Sequence, residues 1–358
     1  MSLRCGRRDW PPMKCATLVI LLLLAPGVAR AELVLPTGFS AEIYVTGSGF
    51  GSSPAQAFEG IPAASTMGFD DAGALYLART GRRYSAGGDI DDRWPIYRIP
   101  PGGARVTPSN ENQFFHGPPL PSPQVAAIRG GREIFVTTFD RDRKIGVLYR
   151  LLEGTIELFA GGTPPPGTAP LLRQPEGAAV DAAGHLYVAD RAAGRIVKLD
   201  PHGRVLDPQW LTVARPRTLA MGEQDHLWIG SDGAAEAPWG VGPGEIWRVS
   251  PDGVPSVVLR GPLAAAIGVG PASRLFVADR QAGQIFAVSP EGERTELVRF
   301  TGGDSPRGLC FAPDTPATRR AGIAGDLFVV TIRRGAWPLN EVLRISGPFG
   351  LTLRPTLP

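Results

Sequence analysis

The chain has 358 residues, with 37 basic and 34 acidic side chains and only three cysteines. Near charge balance leaves no long-range field to favour nucleic acid or an anionic membrane surface. A chain this long buries a large core without metals or disulfide staples.

Residues 1–31 read as an export signal. Arg4, Arg7, Arg8 and Lys14 precede an apolar stretch from Ala16 to Leu24, and Ala29-Arg30-Ala31 has the small-x-small pattern of a cleavage site. The stretch is shorter than the ~20 residues a membrane span needs. The expected mature chain, 32–358, is a single domain starting near Glu32, with Met1 or Met13 as the initiator. The leader holds five basic and one acidic residue, which leaves 32 basic against 33 acidic, a net charge of −1. Cys5 and Cys15 depart with it, so Cys310 has no intrachain partner and is expected to be a small buried residue. A periplasmic or secreted location follows as an expectation.

Beyond the leader one unit recurs. Its mark is a short apolar run around an aromatic: Leu75-Tyr76-Leu77, Ile134-Phe135-Val136, Leu186-Tyr187-Val188, Leu227-Trp228-Ile229, Leu275-Phe276-Val277 and Leu327-Phe328-Val329. A first strand ends six residues earlier (Phe69, Ile128, Val180, Met221, Val269), and Phe311 departs from that spacing through an insertion, Pro313 to Gly325. A third strand follows, usually with a basic residue, as in Ile96-Tyr97-Arg98-Ile99 and Ile196-Val197-Lys198-Leu199. Pro/Gly turns such as Pro201-His202-Gly203 then lead to a fourth. Units of this kind bury both faces only by stacking. The segment Phe39–Val45 has fourth-strand character and is expected to complete the last unit. The prediction is an all-β, six-bladed β-propeller of four-stranded blades, its ring closed by the N-terminal strand of the mature chain.

Loop lengths divide the two rims. First-to-second and third-to-fourth turns are short. Second-to-third connections vary, the aromatic-to-third-strand offset running from 10 (Tyr187 to Val197) to 21 (Tyr76 to Tyr97). The fourth-to-first connections 46–64, 106–123 and 161–175 are long too. Variable loops on a rigid scaffold mark the rim where function is expected.

Gln174–Asp190, continued by Gly194-Arg195-Ile196, resembles an NHL-type propeller repeat and is similar to repeats of gluconolactonase-type lactonases. In those lactonases a divalent metal sits at the channel mouth on Glu, Asn and Asp side chains at the start of inner strands. The matching positions here are Ser65, Gln124, Glu176, Arg217, Ala265 and Arg307. Only Glu176 fits, and no metal site is expected, because fixed cations replace the oxygens a hard dication requires. Leu35-Pro36-Thr37-Gly38-Phe39, Ser305-Pro306-Arg307-Gly308-Leu309 and Gly325–Val329 resemble segments of quinone-dependent sugar dehydrogenases. That resemblance implies pyrroloquinoline quinone with calcium on the long-loop rim. It assigns Arg217, Arg307 and Lys144 to the quinone carboxylates and His116, expected to enter the second unit's inner strand, as general base.

The remaining candidates have structural readings beside functional ones. Trp94, Trp239 and Trp337 fall in long loops, either as a self-packing lid or as an aromatic rim around an apolar or sugar ligand. Asp190 and Asp279 end aromatic strands and read as caps of the following turn. His185, His202 and His226 read as solvated turn residues. Glu176 and Arg217 start adjacent inner strands and read as an ion pair or, with Arg307 and Gln124, as ligand contacts. No phosphate loop, paired-Cys metal site or nucleophile elbow is present. The sequence thus points to binding of a small molecule or an extracytoplasmic protein on the long-loop rim, with a sugar-dehydrogenase-like oxidoreductase as the alternative and a metal-dependent lactonase behind it.

Overall fold

The computed structural model describes residues 33–50, 60–80, 93–140, 142–233, 242–289, 291–332 and 340–350. Six blades, each built on four antiparallel strands, stand in a ring as a β-propeller. From the axis outward, blade 1 is Ala64–Phe69, Leu75–Arg79, Arg93–Ile99 and Phe115–Pro121. Blade 2 is Gln124–Arg129, Glu133–Asp140, Ile145–Leu152 and Thr155–Gly161. Blade 3 is Pro175–Val180, Leu186–Asp190, Arg195–Leu199 and Val205–Thr212. Blade 4 is Pro216–Met221, Leu227–Ser231, Gly244–Val249 and Pro255–Gly261. Blade 5 is Ala264–Val269, Leu275–Asp279, Gln284–Val288 and Arg294–Phe300. Blade 6 is Ser305–Phe311, Leu327–Ile332, Val342–Ser346 and, from the other end of the chain, Ser40–Gly47.

The second strands are continuous apolar runs because neighbouring blades cover both their faces; every residue of Leu75–Arg79, Leu186–Asp190 and Leu275–Asp279 is buried. Across from the aromatic of each such strand stands the basic residue of the third: Tyr76 faces Arg98, Phe135 Arg150, Tyr187 Lys198, Trp228 Arg248 and Phe328 Arg344, whereas Phe276 faces Ala287. This register explains the recurrent cation. It lies across from the ring, and in blades 1 and 6 its charged head reaches an acid of the first-to-second turn. Lys198 Nζ lies 5.1 Å from the Tyr187 ring centroid. Arg98 NH2 lies 3.6 Å from Asp70, and Arg344 Nε donates to Asp326 Oδ2 at 2.7 Å.

Buried apolar side chains form one cluster at each blade-to-blade interface, and each inner strand packs on the inner strands of both neighbours. The interface of blades 6 and 1 is the seam of the ring. There Tyr44, from the N-terminal strand, meets Phe328 edge-on at 4.7 Å, and Phe69 meets the same ring at 4.7 Å. At the axis the blades approach so closely that a Cβ on Gly308 would lie 2.1 Å from the Ser65 carbonyl oxygen. The N-terminal strand runs antiparallel to Val342–Ser346, pairing Ser40 with Ser346 and Ala41 with Ile345, as expected. Just before it, Leu33 and Val34 pair with Phe300 and Arg299 of blade 5. Residues 33–47 therefore cover the outer edges of two blades, which removes open ladder edges.

Two expectations need correction. Residues 106–123 are not a plain connection: after the turn at Pro100–Gly103 the chain adds Ala104–Val106 parallel to the outer strand of blade 6, and only then forms the outer strand of blade 1. Gly103 permits this excursion, since a Cβ there would lie 2.0 Å from the Tyr44 carbonyl oxygen. His116 consequently sits on that outer strand, opposite Ile96, and not on the inner strand of the second blade. Nor are all elaborations on one rim. The insertion 313–325 carries a short helix, Pro316–Arg320, capped by Thr315 and Thr318, and Thr315 Oγ1 donates to the Asp71 carbonyl of a first-to-second turn.

Candidate functional site

Two equivalent positions recur in each blade at the rim of the second-to-third and fourth-to-first connections. One lies near the start of the inner strand: Ser65, Gln124, Glu176, Arg217, Ala265 and Arg307 in blades 1 to 6. The other follows the aromatic of the second strand by four residues: Thr80, Phe139, Arg191, Asp232, Arg280 and Ile332. Register places the two sets side by side, because Pro175 pairs with Asp190, Pro216 with Ser231 and Ala264 with Asp279. Blades 1 and 2 carry neutral groups at both levels. Blades 3 to 6 carry charge.

All of those charges except Arg307 form one network. Arg217 Nε donates to both oxygens of Asp232 at 3.1 Å, its NH2 to Asp232 Oδ2 at 2.5 Å, and its NH1 to Glu176 Oε2 at 3.0 Å. Arg191 donates to Asp232 Oδ2 from Nε at 3.1 Å and NH2 at 3.0 Å, and Gln174 Nε2 donates to Glu176 Oε1 at 3.2 Å. Arg280 NH2 stands 3.6 Å from Asp232 Oδ1, beyond hydrogen-bond reach, and is buried without a hydrogen-bond partner. Arg307 NH2 donates to the Thr80 carbonyl at 2.9 Å, and no ion pair to it is present among the described residues. Glu176 and Asp232 are both buried.

Titration follows from this wiring. Burial works to raise the pKa of Asp232, but the bonds and charge of Arg217, then the charges of Arg280 and Arg191, outweigh it and hold the carboxyl low. Burial disfavours the Arg217 cation, yet Glu176 and Asp232 more than compensate and raise its pKa. Arg280 and Arg307 lack that compensation. Burial, then the like charge of Arg217, lowers Arg280, and the same two causes bring Arg307 down to about 10 despite Glu176.

Of the residues singled out from sequence, Glu176, Arg217 and Arg307 are brought together at this mouth, and Gln124 takes the equivalent place in blade 2. Lys144 is exposed in the second-to-third connection of blade 2 and joins no member of the cluster. Trp94 is not an exposed rim: it is 4% exposed and lies beneath the Arg79 guanidinium, 3.5 Å from ring centroid to Cζ. Arg79 NH1 also donates to Tyr97 Oη at 2.7 Å, and Tyr97 donates to Glu111 Oε2 at 2.7 Å. Trp239 and Trp337 fall outside the described residues. His116 accepts from the Gly154 N–H at 3.1 Å through Nε2 and meets Tyr76 edge-on at 5.2 Å, at the short-turn rim.

Smaller readings also shift. Asp279 caps the following turn through the N–H groups of Gln281 and Ala282, but Asp190 instead accepts from Arg173 and Gln174, which lead into its own inner strand. His185 is half-buried, its Nδ1 2.9 Å from Asp181 Oδ2, and His226 contacts the Glu223 carbonyl at 3.2 Å; neither is simply solvated. Asp232 went unnoticed in the sequence. Its signal was positional, four residues beyond Trp228 and equivalent to Arg191 and Arg280.

A divalent metal does not fit this mouth. The oxygens of Glu176 and Asp232 are already engaged by guanidinium groups, and no group of three or more His, Cys, Asp or Glu is poised for a metal among the described residues. The calcium–quinone arrangement does not fit either: the arginines are in place, but the assigned base and lysine do not gather with them. What the arrangement supplies is fixed, partly desolvated positive charge.

Comparison with known proteins agrees with the fold. The NHL repeat family matches residues 172–199. A 6-deoxy-6-sulfogluconolactonase from Pseudomonas putida is 40% identical over 68 residues, 17% of this chain, and the match spans 23% of that protein's length. Among solved structures, a gluconolactonase from Xanthomonas campestris superposes with a TM-score of 0.53 at 14% identity, over 81% of this chain and 87% of that one. The quinone-bound aldose sugar dehydrogenase of Streptomyces coelicolor gives 0.53 at 12% identity, over 87% and 100%. An auxiliary nutrient binding protein from Bacteroides thetaiotaomicron gives 0.54 at 12% identity, over 88% and 77%. At such identities the likeness is one of fold. The chain is a six-bladed β-propeller carrying an NHL repeat, built on the architecture that gluconolactonases and quinone-dependent sugar dehydrogenases share.

Proposed function

We propose that this protein is exported and binds a small molecule at the mouth of its central channel, on the rim of the second-to-third and fourth-to-first connections. The observation that carries the reading is the convergence of charged side chains from four successive blades on one spot at the axis. Buried charge is costly unless it is compensated or used, and this cluster lies where a rigid ring presents its variable connections. The alternative of a quinone sugar dehydrogenase has lost its base, since His116 is on an outer strand at the other rim.

Ala265 offers the test. It shares the ring position of Arg217 and Arg307 but takes no part in the charge network, so Ala265→Trp should plug the mouth without disturbing the ion pairs. Native mass spectrometry after incubation with a mixture of small acids and sugars should show a retained adduct on the wild-type chain and none on the plugged variant. An adduct that persists in Ala265→Trp, or the absence of any adduct, sinks the reading. Export is checked separately, by fractionation and by the amino-terminal residue of the recovered protein, expected near Glu32.

A further inference from the structure

We infer that the ligand of this mouth carries an oxyanion (a carboxylate, sulfonate or phosphate group) to which Arg280 and Arg307 contribute their unspent donors; this rests on the ligand-site reading just given. The guanidinium groups of Arg191, Arg217 and Arg280 contact two carboxylates, Glu176 and Asp232, and Arg307 stands at the same mouth bonded to a carbonyl, so four cations meet two acids, a surplus of two positive charges among the described residues.

The four cations are not equivalent. The hydrogen bonds on the Asp232 carboxylate come from Arg217 and Arg191, and Arg217 also takes one oxygen of Glu176. That leaves Arg280 with a buried NH2 that donates to nothing, and Arg307 with one neutral carbonyl. A buried donor without an acceptor costs free energy, and an uncompensated buried charge costs more. Burial and the charge of Arg217 hold both groups below the usual arginine range, as expected for cations still lacking a counter-charge. The missing partner must therefore be an acceptor, must be negative, and must come from outside the network. Oxyanions meet all three conditions, and the planar fork of arginine matches their geometry. A dication is neither an acceptor nor negative.

Calorimetric titration of the full chain at constant ionic strength tests this with malonate, inorganic sulfate and inorganic phosphate, and with uncharged glucose as the contrast. The expected result is saturable binding of at least one anion and none of glucose, with Arg280→Gln and Arg307→Gln each weakening it by about tenfold or more, while Lys144→Gln, outside the network, leaves it unchanged. Arg307→Met, which exchanges a half-buried charge for an apolar chain, supplies a second folded variant should either glutamine variant fail to fold. Glucose binding that Ala265→Trp abolishes would keep the mouth as a ligand site and overturn the oxyanion. Anion binding that survives all the arginine substitutions, or no anion binding at all, would overturn it as well.

Discussion

Arg217 and Asp232 form the tightest link at the axis: three donor contacts tie the guanidinium of one inner strand to a fully buried carboxylate that follows the second strand of the same blade. The pair is a keystone, since Asp232 also collects Arg191 and faces Arg280, so charges from blades 3, 4 and 5 meet on one side chain.

This makes two arginines of the same ring behave oppositely. Arg217→Met strips Asp232 of its main partner and should destabilise the protein by about 3 kcal/mol, the low end for a broken buried pair because Arg191 and Arg280 remain. Arg307→Met removes a half-buried cation that no carboxylate pairs with among the described residues, and it should raise the midpoint of urea unfolding. Equal losses in both variants would mean that the Arg307 charge is already neutralised in the folded protein.

The seam should be intolerant at Gly308. An alanine there drives its methyl against the Ser65 backbone across the join of blades 6 and 1, where no side chain can turn aside. Overpacking of this kind costs about 1–3 kcal/mol, to be read as a lower unfolding midpoint. Gly102, also a glycine but with open space around its Cβ direction, carries a φ of 101° and would be strained by conformation alone.

The amino-terminal latch depends on Tyr44. Its ring packs on Phe328, and its hydroxyl accepts from the Gly102 N–H at 3.1 Å. Tyr44→Ala should cost about 3–5 kcal/mol through the cavity it opens at the seam. Tyr44→Phe keeps the packing and should cost about 1 kcal/mol for the lost acceptor. Chemical denaturation of both variants separates packing from hydrogen bonding.

His116 predicts a pH effect on stability, not on chemistry. Burial first, then the Arg98 charge, lowers its pKa below the ordinary 6.5, with Asp70 opposing. The unfolded chain then binds more protons than the folded one as pH falls below about 6.5, so stability is full above that value and declines beneath it. The Gly154 N–H also loses its acceptor once Nε2 is protonated. Replacing His116 with glutamine, which retains an acceptor, should flatten this acid-side decline. An unchanged slope would place its origin elsewhere.

Much of the architecture was legible because it is written in short-range periodicity. Aromatic runs, six-residue offsets and Pro/Gly hairpins each report a strand or turn from its own few residues, and even the closing strand at Phe39–Val45 betrayed itself by local character. The excursion through Ala104–Val106 was not legible, since that segment pairs with a strand some sixty residues earlier, and only the loss of Cβ at Gly103 makes room for it. Displacing that stretch moved His116 from an expected inner strand to an outer one.

Sequence by itself determined the number of blades, the order of their strands, the latch, and three of the charges at the mouth. Only the tertiary structure decided which of those charges are satisfied. Whether an arginine is a strut or an open hand depends on acceptors contributed by other blades, as Asp232 serves both Arg191 and Arg217. Ring closure, not local pattern, brings such partners within hydrogen-bond distance, and it leaves Arg280 and Arg307 without an acid of their own.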